Sequence, residues 1–76
     1  MNDDNFGWCI YEHDSNTICQ EGNGCKTIDK AIETVNYHVM ISGWQGGRGT
    51  RLSAFVCEYK GGKRVAKCEN SYWTKY

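Results

Sequence analysis

The chain has 76 residues and nine basic against nine acidic side chains, so its formal net charge is zero. With no proline it holds no Pro-rich linker or tail, and 39% hydrophobic with 24% charged residues is too apolar for a disordered chain. The same numbers make a thin core for one small domain and call for some further source of stability, while no apolar run approaches the ~20 residues of a membrane span.

In chain order, residues 6–11 (Phe-Gly-Trp-Cys-Ile-Tyr) have the aromatic and branched content of a strand. Residues 12–24, rich in Asn, Asp and Gly, read as loop. Cys25, Ile28, Ile32 and Val35 then recur at spacings of three and four, with polar residues between them, which predicts a helix over about 25–36. Thr27 or a residue just before it is its expected cap, Asp29 suits its positive end, and Asn36 is its expected stop. Residues 37–42 read as a short strand, and the glycine-rich 43–50 as a flexible loop. Residues 51–60 are apolar on both alternating faces and predict a central strand. Gly61-Gly62 is a two-residue turn leading into a returning strand over 63–68, and the tail carries Tyr72, Trp73 and Tyr76. The expected fold is a single α+β domain over 1–76, one helix on a three- or four-stranded mainly antiparallel sheet, stabilised by disulfides.

That last expectation rests on Cys9, Cys19, Cys25, Cys57 and Cys68, about 6.6% of the chain and far above ordinary usage. No C-x-x-C pair occurs, which argues against zinc and thioredoxin-like chemistry, and neither His13 nor His38 lies at ligand spacing. No metal or cofactor is expected. An odd count allows at most two intramolecular bridges. Cys25 lies on the apolar stripe of the helix and Cys57 shares a strand face with Phe55 and Tyr59, so a helix-to-sheet bridge between them is the preferred pair. It would contribute on the order of 3 to 4 kcal/mol in the chain-entropy model. A second bridge is expected among Cys9, Cys19 and Cys68. The first residues, Met-Asn-Asp-Asp-Asn, have neither the basic nor the apolar region of a secretory signal. The chain is read as the mature form of an exported protein with an added start Met, the alternative being a cytoplasmic protein.

Zero net charge conceals a polarity. Residues 1–34 hold seven acids and two bases, and residues 35–76 hold seven bases and two acids. If the halves stay apart, a basic face attracts an acidic partner protein, an anionic cell surface or nucleic acid, the last disfavoured by the neutral total. Trp44, Arg48 and Arg51 on the glycine loop, with Lys60, Lys63 and Arg64 at the hairpin, are the candidate binding residues. The competing expectation is that the halves pair across the fold and that Trp44 folds back as a lid on the core.

For catalysis, His13, His38, Glu58 and Arg51 supply the residue types of a small ribonuclease, with no spacing that ties them together. Gly-x-Ser-x-Gly, His-Glu-x-x-His and phosphate-loop motifs are absent, and a non-catalytic protein is expected.

At Cys25-Lys-Thr-Ile28-Asp-Lys-Ala-Ile32 and Leu52-Ser-Ala-Phe55-Val-Cys57-Glu-Tyr59, followed by Gly61-Gly62 and Cys68, the chain resembles small secreted fungal proteins of the killer-toxin and necrosis-inducing-factor effector kinds. The resemblance covers about 45 residues. It implies an exported, cysteine-rich toxin or effector, a virulence or antimicrobial protein that binds a host or competitor macromolecule without catalysis; it carries over no active-site residues. A cytoplasmic phage or bacterial binding module using the basic face is the alternative, and a ribonuclease-like enzyme the second.

Overall fold

The computed structural model describes residues 5–47, 49–59 and 62–76, so Arg48 of the glycine loop and Lys60 and Gly61 of the hairpin lie outside the described residues. Five strands and one helix follow in the order β1 (Phe6–Glu12), β2 (Ile18–Cys25), α1 (Ile28–Val39), β3 (Leu52–Cys57), β4 (Arg64–Glu69) and β5 (Tyr72–Lys75). All neighbours pair antiparallel in one sheet of order β2-β1-β3-β4-β5. β3 is the middle strand, as its two apolar faces require. Strands β2 and β3 both run against β1 and hence parallel to each other, so α1 connects them by crossing over β1.

Alternation along β1 and β3 sorts the side chains. Trp8 and Ile10, opposite Val56 and Ala54, join Leu52, Ala66 and Cys68 beneath α1, where Ala31, Val35 and Val39 complete the core. Gly7, Cys9, Tyr11, Ser53, Phe55 and Cys57 point to the other face, which no helix among the described residues covers.

The helix starts where the Thr27 hydroxyl accepts the Lys30 N–H at 3.0 Å. It runs past the expected stop because its apolar stripe continues from Ile28, Ala31, Ile32 and Val35 to Val39, one further turn. Met40 is its C-cap, and Gly43, at φ +66°, closes the exit turn by donating its N–H to the Val39 carbonyl at 3.0 Å. Residues 37–42 are therefore the last turn of the helix and its exit, and not a strand.

The sheet has five strands where three or four were expected, and two of them, β2 and β5, were not read as strands. The stretch read as loop contains β2, an edge strand whose residues are mostly exposed; that position tolerates the polar and small residues that argue against a central strand. Its Gly22 is opposite Trp8, and a Cβ there would lie 2.7 Å from the indole, so the glycine gives the ring its place. The tail forms β5, whose Trp73 is opposite Cys68 and packs on the core.

The disulfide expectation is corrected: all five cysteines are free thiols. Cys25 is opposite Phe6 on β1 and Cys57 is opposite the next residue, Gly7, on β1's other side. The two therefore lie on opposite faces with a whole strand between them, about 10 Å apart at ordinary strand spacing. A bridge without backbone movement needs Cα atoms within about 7 Å. Cys9 and Cys68 are likewise on opposite faces and separated by β3. Cys9, Cys57 and Cys68 are buried, and Cys68 packs within the hydrophobic cluster as a small apolar residue.

Candidate functional site

Of the six residues expected to form one basic binding surface, four are described, and Trp44 and Arg51 stand apart from Lys63 and Arg64. Trp44 is half-buried, packs on the core and meets the Trp73 ring edge-on at a centroid distance of 6.3 Å, so it is a lid and not an exposed stacking surface. Arg51 stands just before β3, where it donates to Asn70 Oδ1 at 3.0 Å and lies 3.9 Å from Asp14. Arg64 is opposite Cys57 at the far end of β3, about 20 Å from Arg51 by strand rise. Lys63 beside it is exposed, and its carbonyl accepts the Glu58 N–H at 2.8 Å. Arg48 and Lys60 are outside the described residues.

The ribonuclease set is also dispersed. His38 is on the helix side, its ring stacked on Trp8 at 5.1 Å and hydrogen-bonded to Gln20 at 3.3 Å. His13 bonds the buried Ser53 hydroxyl at 2.9 Å on the other side of the sheet. Arg51 and Glu58 flank β3 at its opposite ends. Among the described residues no group of three or more His, Cys, Asp or Glu side chains is placed to hold a metal, and no helix is long and apolar enough to cross a membrane.

One expected residue does stand at a concave site. On the uncovered face of the sheet a groove of about 360 Å³ runs from β2 to β4. Its floor is made of the small residues Gly7, Cys9 and Cys57 on the two central strands, and Ile18, Glu21, Phe55 and Arg64 stand around it. The floor is low because those three positions carry little side chain, while β2 and β4 raise longer ones on either side. The Arg64 guanidinium lies 3.9 Å from the centroid of the Phe55 ring, and Tyr11 tilts against the same ring at 6.0 Å. Tyr11, Ile18 and Phe55 make a partly exposed apolar strip beside Arg64. Burial, and next the nearby Glu21 carboxylate, push the Cys9 thiol above its ordinary pKa.

Sequence reasoning found Arg64 here but missed Tyr11, Ile18, Glu21 and Phe55. The alternation that places Phe55 and Cys57 on one face of β3 was the available signal. Ile18 and Glu21 were hidden because β2 read as loop. Compared with family models, with curated proteins and with solved structures, the chain matches none.

Proposed function

We propose that this protein is a small non-catalytic binding module that engages a macromolecular partner through the open face of its sheet, with Tyr11, Ile18, Phe55 and Arg64 as the contact residues. The observation that carries the reading is the guanidinium stacked on a partly exposed phenylalanine at the edge of a groove. The main hydrophobic cluster lies on the helix side, which leaves this exposed pair available to a partner. Aromatic rings and arginine are the side chains that dominate protein interfaces when they become desolvated.

A protein partner fits this face better than nucleic acid. Among the described strand residues Glu21 and Glu69 share it with Arg64 and Lys67, two acids with two bases, whereas phosphate binding rests on a net basic surface. Five free thiols, three of them buried, support a module that works with reduced cysteines over an exported effector held by two bridges.

The test is a comparison of two double variants against a partner captured by the parent chain. Phe55→Ala with Arg64→Glu is expected to weaken that partner at least about ten-fold while leaving the circular dichroism spectrum unchanged. Arg51→Glu with Lys63→Glu, away from the groove floor, is expected to bind within about three-fold of the parent. The reverse result would return the site to the basic residues of the loop and hairpin.

A further inference from the structure

The open face carries a second feature that partner binding does not use. Of the five cysteines, Cys9 and Cys57 alone share a face on two directly paired central strands: Cys9 is opposite Phe55, and Cys57 is opposite Gly7, two positions along. Both line the floor of the groove. Two of the other thiols are excluded by position. Cys25 and Cys68 belong to the helix side, with β1 and β3 between them. Cys19 sits at a bulge of the edge strand β2, exposed, its Sγ 3.9 Å from the Thr17 carbonyl.

We infer that Cys9 and Cys57 form a redox-responsive pair, the floor of the groove being a site of thiol–disulfide exchange with low-molecular-weight disulfides. The groove admits the reagent although each thiol is nearly buried. In the first step one protein thiolate attacks a sulfur of the reagent, the reagent's S–S bond breaks, a mixed disulfide forms and one small thiol leaves. In the second, the other cysteine attacks the protein sulfur of that mixed disulfide, the second small thiol leaves and the Cys9–Cys57 bond is made. The protein loses two electrons and two protons, and the reagent gains both as two thiols.

Diagonal neighbours on antiparallel strands have Cα atoms about 7 to 8 Å apart, just beyond the about 4.4 to 6.8 Å of a relaxed bridge. Closing the bond therefore needs β1 and β3 to shift by about 1 Å along their common direction at this point, and the strained product reopens readily under a thiol reductant. This makes the pair a switch that shifts the groove floor and not a permanent staple. The inference stands whether or not the groove binds a partner.

The experiment uses the full chain, reduced, then equilibrated with glutathione disulfide at neutral pH, alkylated and mapped by mass spectrometry. The expected result is loss of two hydrogens, one cross-linked peptide pair containing Cys9 and Cys57, and alkylation at Cys19, Cys25 and Cys68. A Cys19→Ser variant is expected to form the same bridge, and a Cys57→Ala variant to lose it while keeping the parent's circular dichroism. Complete alkylation at all five positions would overturn the inference. So would a bridge from Cys9 to Cys19, or any bridge to Cys25 or Cys68 in folded protein.

Discussion

At the scale of single residues, two positions carry more of the structure than their size implies. Gly22 is opposite Trp8, and its missing Cβ is the space the indole occupies. Trp8 in turn supports His38 in the last turn of the helix, so one hydrogen atom on β2 governs contacts on three elements. Gly22→Ala is expected to displace the ring and lower stability by about 1 to 3 kcal/mol, read as an earlier urea midpoint followed by tryptophan fluorescence. Cys68 is the other. It is fully buried among Ala54, Val56 and Ala66, and burial pushes its thiol up to about 11 from 9.0. The neutral thiol is the form the fold prefers, so its stabilising effect is whole below pH 9 and is lost as pH rises from 9 toward about 11, where the unfolded chain releases the proton first. The parent is expected to lose on the order of 2 to 3 kcal/mol more than Cys68→Ala across that window, measured as the difference between their stability-versus-pH curves.

At the scale of elements, the helix depends on its first turn. Thr27 holds the Lys30 N–H, and Thr27→Ala is expected to cost about 1 kcal/mol in chemical denaturation while Thr27→Ser, which keeps the hydroxyl, leaves stability at or slightly above the parent's. Both the existence of this helix and the central place of β3 were legible in the sequence, because each is written in the spacing of buried residues. The boundary at Asn36 was misread because Tyr37, His38 and Val39 have strand-like composition, although Val39 continues the helical stripe. β2 was illegible for a different reason. An edge strand satisfies only one side of its backbone and buries few side chains, so Cys-Gln-Glu-Gly-Asn-Gly leaves no alternation to read. The preferred Cys25–Cys57 bridge was reasonable for a helix lying over a strand. It failed on register, since Cys25 ends β2 and does not open the helix, and a one-residue offset on β1 sends the two side chains to opposite faces.

At the scale of the whole molecule, the polarity of the sequence survives folding in a softened form. β2 and β1 come from the acidic half and stand side by side at one edge of the sheet, with β3, β4 and β5 from the basic half beyond them. Ion pairs then join the halves: Lys75 to Asp29 at 2.7 Å, and Arg51 to Asp14 at 3.9 Å. All four groups are well exposed, so Asp29→Asn is expected to cost under about 1 kcal/mol, a difference that shrinks further when denaturation is repeated in about 0.5 M salt. The insertion of β1 between β2 and β3 has a consequence for how the chain reaches this state. Its partners on β3 lie 40 to 50 positions later, from Glu12 with Leu52 to Gly7 with Cys57. During synthesis the first hairpin therefore waits with the inner edge of β1 unpaired, and its apolar residues uncovered, until the other end of the chain arrives. Such distant pairing slows folding relative to a chain of this length with local contacts, and an unpaired strand edge is the kind of surface through which chains associate.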